Sequence, residues 1–173
     1  MNDIVRIGQT TNAAIYDDGN KLVGIFKEFD QPEIEYDLVK HAALGMVAEL
    51  ERPGRMLKSM KGKGVFQYLD ADFVPRFLDP RAAVPIMIEA YTDMFDANGL
   101  AVASGYRVIT HVTLSVFKDG GKAFKLGDAF EGNFEYTAQR FVQKFSNQST
   151  PFREIDAINQ INRLNGVDVW PTY

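Results

Sequence analysis

The sequence predicts a mainly β (α+β) fold: an antiparallel β-sandwich or barrel-like domain with one or two short helices and a long inter-strand loop. Three observations lead there. Long stretches alternate apolar and polar residues with period two, the pattern of half-buried strands. Turn signals separate them at Asp18-Gly19, Asn98-Gly99 and Asp119-Gly120-Gly121. Helical periodicity surfaces in only two short places. With 173 residues, 46% hydrophobic composition and thirteen Phe, the chain suffices for a single core, read as one domain over residues 1–173.

Lys21 to Phe29 is short and β-rich and comes after the Asp18-Gly19 turn pair. Glu33 to Val39 alternates, with Ile34, Tyr36 and Leu38 on one side and Glu33, Glu35 and Asp37 on the other. Residues 40–64 read as a long loop. It opens with the small apolar run Ala42 to Ala48 and continues through Arg52-Pro53-Gly54 and Lys61-Gly62-Lys63-Gly64. Asp72 is placed to cap a short helix starting at Phe73 and ending at Asp79, before Pro80. Pro75 is tolerated there because it falls in the first turn.

Val84 to Phe95 alternates again and leads into Asn98-Gly99, which predicts a strand that pairs with the next segment of chain. Tyr106 to Lys118 is the clearest strand. It sets Tyr106, Val108, Thr110, Val112, Leu114 and Val116 on one face and Arg107, His111, Thr113 and Ser115 on the other. The Gly-containing segment after it, with Lys122 and Lys125, lacks the spacing and the strand-to-helix context of a phosphate loop and reads as a loop between strands. In Asn133 to Phe145 the bulky residues change phase between Tyr136 and Phe141, which predicts a β-bulge near Gln139 or Arg140. Ile155, Ile158, Ile161 and Leu164 recur every three residues, so 155–164 reads as a short helix stopped by Asn165-Gly166.

Composition bounds the function. There is no cysteine, hence no disulfide framework and no thiolate chemistry. The two histidines, His41 and His111, are too few for a usual zinc site and have no serine elbow beside them. Carboxylates are abundant, but no spacing marks two of them as a convergent pair. No catalytic, cofactor-binding or metal site is therefore expected. No apolar run approaches 18 residues, and the N-terminus lacks the basic-then-apolar pattern of a signal peptide. A net charge of −4 argues against a general nucleic-acid binder.

Charge is unevenly placed. Arg52, Arg55, Lys58, Lys61 and Lys63 form a basic run with no acid between Glu51 and Asp70 and no aromatic residue between Arg52 and Gly64. Glu28, Asp30, Glu33, Glu35 and Asp37 form an acidic block. The basic run is a solvated loop, one half of a head-to-tail contact whose other half is the acidic block of another copy, or, least favoured without interleaved aromatic residues, a nucleic-acid patch. Trp170 is either packed on the core or an anchor at a subunit contact.

The segments Glu154-Ile155-Asp156, Ile158-Asn159 and Asn165-Gly166-Val167-Asp168, with Ala83-Val84-Pro85-Ile86 upstream, resemble the major tail tube proteins of contractile phage tails and pyocin-like particles. The resemblance covers roughly residues 83 to 169. It implies a tail tube fold in a structural virion protein that self-assembles into stacked hexameric rings, forming an inner tube for DNA passage. The implied partners are further copies of the chain, the tail sheath, the tape measure and the baseplate or terminator proteins. DNA would be met only transiently in the lumen, and no membrane is involved. The implied location is the virion tail, with assembly in the host cytoplasm. On this reading the loop residues Leu44, Met46, Arg52, Arg55, Lys58, Lys61 and Lys63 are candidates for ring stacking. Glu33, Glu35 and Asp37 are candidates for an acidic lumen or partner face. Glu154, Ile155, Asp156, Asn159, Asn165, Gly166 and Asp168 carry the family signature. The competing readings are a small-molecule-binding β-barrel and, within the same class, a tube terminator or baseplate tube protein.

Overall fold

The computed structural model describes residues 6–17, 20–22, 24–121, 126–127 and 130–171. The chain runs β1 (Ile7–Asp17), β2 (Asn20–Lys21), β3 (Phe26–Phe29), β4 (Tyr36–His41), β5 (Leu50–Leu57), β6 (Met60–Phe66) and α1 (Phe73–Phe77). It continues through β7 (Val84–Asp96), β8 (Gly99–Leu100), a 3-10 turn (Val102–Ser104), β9 (Tyr106–Gly121) and β10 (Gly132–Phe145). It closes with β11 (Arg153–Asp156), β12 (Ile161–Leu164) and β13 (Val167–Asp168). The mainly β, antiparallel class expected from the alternation is what the chain adopts.

One sheet carries the molecule, in the order β2-β1-β7-β9-β10, and it forks at β10. The first half of β10, Gly132 to Ala138, pairs with β6, which pairs with β3. The second half, Arg140 to Gln143, pairs with β11, which leads on to β12 and β13. The fork falls on the expected bulge: the register with β9 slips between Ala138 and Arg140. The slip lets Phe134, Tyr136, Ala138 and Phe141 all reach the core although their spacing breaks the period of two. β4 and β5 form a separate two-stranded sheet.

The core is aromatic. Phe66 and Phe134 lie 4.7 Å apart between ring centroids, Phe26 stacks on Phe66 at 5.2 Å, and Phe77 meets Phe134 edge-on at 5.1 Å. Helix α1 lids this cluster with Phe73, Val74 and Phe77, all buried. Its cap differs from expectation. Asp72 makes no side-chain cap bond; the Asp70 carboxylate accepts from the Phe73 N–H at 2.8 Å and the Asp72 N–H at 3.1 Å. Arg76 then ties the helix to β1 through an ion pair with the buried Asp17.

Two expectations fail. The span 40–64 is not a loop. Most of it is β5, β6 and the end of β4, leaving residues 42–49 as a hairpin tip. The signal that misleads is Lys61-Gly62-Lys63-Gly64, which reads as turn punctuation. These glycines sit inside β6 because rings lie flat over them: a Cβ on Gly62 would stand 2.4 Å from Tyr136 Cζ, and one on Gly64 2.4 Å from Phe134 Cζ.

Nor is 155–164 a helix; it is β11, a four-residue turn and β12. The Asp156 carboxylate accepts from the N–H groups of Ile158 (3.1 Å) and Asn159 (2.9 Å) and from Asn159 Nδ2 (2.8 Å), and Gln160 turns at φ +56. That side chain offers the backbone a reversal in place of a helical turn. The apparent period of three comes from a turn set between two strands: Ile155 is buried, while Ile158 is 72% exposed. Asn165 and Gly166 are left-handed as expected, φ +50 and +78, but they form the tight turn of the β12–β13 hairpin.

The Asp18-Gly19 turn and most of the Lys122–Asp128 loop lie outside the described residues. The Asp17–Asn20 pairing flanks the former. The expected strand Lys21–Phe29 is split into β2 and β3, with Gly24 at φ +75 between them.

Candidate functional site

The β4–β5 hairpin stands off the main sheet as an arm. Its register pairs Tyr36 with Leu57, Leu38 with Pro53, Val39 with Arg52, Lys40 with Glu51 and His41 with Leu50. A slip between Tyr36 and Leu38 accommodates Pro53-Gly54, and Gly54 is needed there because a Cβ would meet the Asp37 carbonyl at 3.0 Å. At about 3.3 Å per residue the six residues of β4 alone, before the tip, reach roughly 20 Å.

The arm is apolar without a core. Leu44 and Val47 at the tip are fully exposed, Met56 is 73% exposed, and Leu38, Val39, Met46 and Leu50 are exposed as well. A hairpin this small is marginal by itself in water. Apolar surface concentrated on one projecting element marks an interaction surface.

The foot of the arm is fastened. Ile34 and Leu57 pack against the core. The Lys58 N–H donates to the Glu35 carbonyl at 2.8 Å, and Lys58 Nζ meets Glu35 Oε1 at 2.6 Å. Trp170, from the chain end, meets the Tyr36 ring edge-on at 6.3 Å and lies under the Arg55 guanidinium at 6.0 Å. Asn162 Nδ2 donates to the Tyr36 hydroxyl at 3.0 Å, and Arg55 reaches the Pro171 carbonyl at 3.5 Å.

The basic run is therefore dispersed. Arg52 and Arg55 belong to the arm and Lys58 to its foot, while Lys61 and Lys63 lie on β6 in the main sheet. Lys61 Nζ sits 5.9 Å from the Phe117 ring, and Lys63 lies 3.6 Å from Asp30. Glu33, Glu35 and Asp37 gather at the foot of the arm. The two blocks, which one of the readings of the sequence sets on different subunits, partly neutralise each other within one chain, through Lys58–Glu35 and Lys63–Asp30. The Lys58 ammonium is held above its ordinary pKa, first by its hydrogen bond to Glu35.

The signature residues shape the C-terminal hairpin. Ile155 fills the core, and Asp156 and Asn159 build its first turn. Asn165-Gly166 builds the second, and Arg163 bridges Asp168 (2.8 Å) and Glu154 (3.7 Å). Bonds to the Asn159 backbone and side chain are the main cause of the lowered pKa of Asp156.

The main sheet has a second, polar face. Glu89 accepts from the Tyr91 hydroxyl at 3.1 Å and lies 3.9 Å from Arg107; Arg140 lies 3.8 Å from Asp156. His111, half-buried in the same face, is kept below its ordinary pKa by burial and then by Lys144 and Arg140. Among the described residues no group of His, Cys, Asp and Glu is placed to hold a metal. A cavity of about 390 Å³ opens between β1 and β3, lined in part by Ala13, Ile15, Leu22, Phe26 and Phe29. It is an open slot between two strand edges, and the interior a ligand-binding barrel would hollow out is filled by Phe side chains.

The family model of the phage tail tube protein FII matches residues 9–173. Among solved structures, the fold is similar to the sheath/tube terminator of an extracellular contractile injection system, PVC, in its extended state. The TM-score is 0.55 at 12% identity, over 77% of this chain and 93% of the other. It is also similar to a chain of the PVC sheath-tube complex in the extended state, with TM-score 0.52 at 12% identity over 77% and 88%. No curated protein sequence matches.

Proposed function

The chain belongs to the phage tail tube protein FII family, and from that premise we propose that its freestanding arm stacks one ring of subunits on the next. The protein is a structural component of the tail, not an enzyme. The observation that carries the stacking reading is the arm itself. Leu44, Val47 and Met56 are exposed on an element that, among the described residues, has no strand neighbour beyond its own hairpin. An identical copy offers a repeating surface for it, and a contact repeated along an axis without closing gives an open stack.

Ring closure uses a different feature. Among the described residues, β1 is paired along one edge by β7 but on the other only near its end, at Tyr16 and Asp17 by β2 and at the Ile15 carbonyl by the Leu22 N–H. Its free edge, covered by the next subunit, would join the sheets into a continuous wall. The polar face bearing Glu89, Arg107, His111, Arg140 and Asp156 supplies a lumen surface. Two of the cations there are matched by carboxylates, at Glu89–Arg107 and Arg140–Asp156, which lowers the positive charge that passing phosphates meet. The acidic trio Glu33, Glu35 and Asp37 belongs to the arm and its neighbour contact in this reading, and DNA, tape measure, sheath and baseplate proteins complete the partner set.

Electron microscopy of the purified protein tests the reading. Wild type is expected to form rings and tubes, and Leu44→Asp with Val47→Asp rings without tubes. A wild-type protein that stays monomeric at high concentration, or a double variant that makes normal tubes, overturns it. Wild-type rings that never stack support the second reading, a tube terminator or baseplate tube protein, to which the fold likeness to a sheath/tube terminator points.

A further inference from the structure

We propose that Trp170 is the positioning residue of the arm: a clamp from the chain end that fixes the direction in which the stacking hairpin projects. This rests on the reading that the arm stacks rings, and adds what aims it.

Among the described residues the arm has no strand neighbour to hold it. At its foot the arm is joined to the main sheet by backbone bonds, from Lys58 N–H to the Glu35 carbonyl, Glu33 N–H to the Lys61 carbonyl and Asp30 N–H to the Lys63 carbonyl, with Ile34 and Leu57 seated on the core. These bonds fix the root, but a ribbon of two strands can still twist and bend as one piece, which leaves the direction of its tip free. The second point of attachment is Trp170, which touches both strands: Tyr36 of β4 through an edge-on ring contact and Arg55 of β5 through its cation. Asn162 of β12 fixes the Tyr36 hydroxyl from the same side, and the Pro171 carbonyl receives Arg55. The C-terminal hairpin, locked to the core by Ile155, thereby becomes the reference frame for the arm.

The lever arm makes this contact matter. For strand residues spaced about 3.3 Å apart, a tilt of about 10° at the foot moves the tip by roughly 3–4 Å. Packed contacts lose a quarter to a half of their attraction when they open by about 0.5–1 Å. An unaimed arm would still be apolar but would meet its neighbour only after losing orientational freedom, and preorganisation removes that cost.

The Trp170 indole N–H is buried with no hydrogen-bond partner among the described residues. Its role is therefore carried by the ring faces, which Phe can supply in part. That separates aiming from mere folding.

The experiment measures the concentration at which tubes form, by light scattering and electron microscopy, together with trypsin cleavage after Lys40 and Arg55, Arg52 being protected by the Pro53 that follows it. Trp170→Ala is expected to raise the critical concentration at least about tenfold, equivalent to ~1.4 kcal/mol, to speed cleavage within the arm and to leave rings intact. Trp170→Phe is expected to restore assembly to within about threefold, the ring face being retained. If Trp170→Ala does not fold, Arg55→Ala at an exposed position decides, with the same expected direction. Normal tubes and normal arm cleavage in the folded Trp170→Ala protein, or normal tubes and normal cleavage after Lys40 in Arg55→Ala, overturn the clamp. The Leu44→Asp, Val47→Asp protein runs alongside: if it fails to stack while the clamp variants stack normally, only the clamp falls; if it too stacks normally, the stacking reading itself falls.

Discussion

The aromatic core and the arm use the same kind of residue to opposite ends. Around Phe134, rings from β3, β6, α1 and β10 meet at 4.7 to 5.9 Å and shield one another from water. On the arm, Leu44, Val47 and Met56 stand in solvent. The core uses its apolar residues to fold one subunit; the arm keeps its own for another molecule. Stability and assembly should therefore respond to different substitutions.

The largest effect should come from the core. Phe77→Ala removes a fully buried ring and is expected to destabilise the subunit by about 3–5 kcal/mol, read from denaturant unfolding, with assembly lost only because folding is lost. Gly64→Ala should also act through the core, since the added carbon meets Phe134 at 2.4 Å and the Glu28 carbonyl at 3.0 Å. A cost of about 1–3 kcal/mol is expected for such overpacking. An unchanged melting curve for either would mean that the core is looser than the ring contacts imply.

Replacing residues 38–53 with a tight Asn-Gly turn should reverse the pattern, with melting nearly unchanged and tubes absent. A large loss of stability there would erase the distinction between the two regions. Asp156→Ala lies between them. It removes the bonds that turn β11 into β12, with an expected cost of about 1–3 kcal/mol. Its pKa is lowered on folding, so its contribution is present above the ordinary carboxylate range and is lost as pH falls through the depressed folded value. Acid unfolding of wild type and Asp156→Asn, compared as pH falls from neutral through the ordinary carboxylate range and below it, should converge at the acid end. The smallest effect is expected for Lys58→Glu with Lys61→Glu. Both side chains are exposed, so melting should hardly move while tube growth weakens; unchanged growth would confine the stacking contact to the apolar tip.

Much of the main sheet is legible in the sequence because it obeys period two. Val84 to Phe95 is a strand near its expected bounds, with Asn98-Gly99 turning between β7 and β8; Tyr106 to Lys118 is a strand too, but it runs on to Gly121, because the expected turn Asp119-Gly120-Gly121 pairs with Gly132 to Phe134 as part of β9. The phase change in Asn133 to Phe145 locates the bulge, since only an extra residue brings both Tyr136 and Phe141 to the core. β1 is not legible because Ile7 to Ala13 are exposed on both faces and show no alternation. The C-terminal hairpin reads falsely as a helix because one carboxylate, Asp156, decides between helix and reversal, and spacing cannot reveal where a side chain bonds. The arm residues Leu44 and Met46 are visible as an apolar stretch without a core. Leu38, Val39 and Met56 are not, since alternation does not say which face is covered.

Residue order alone thus determined the strand-rich class, the core strands, the bulge and the absence of thiol chemistry, because these depend on local periodicity and composition. Tertiary structure decided what local pattern cannot carry. It placed the glycines of β6 beneath rings from β10, and gave Glu35 and Lys63 opposite charges within their own chain. It also brought Trp170 beside Tyr36 and Arg55, far away in sequence, at the foot of an uncovered hairpin. These are long-range contacts, set by how the sheet forks and folds over its aromatic core.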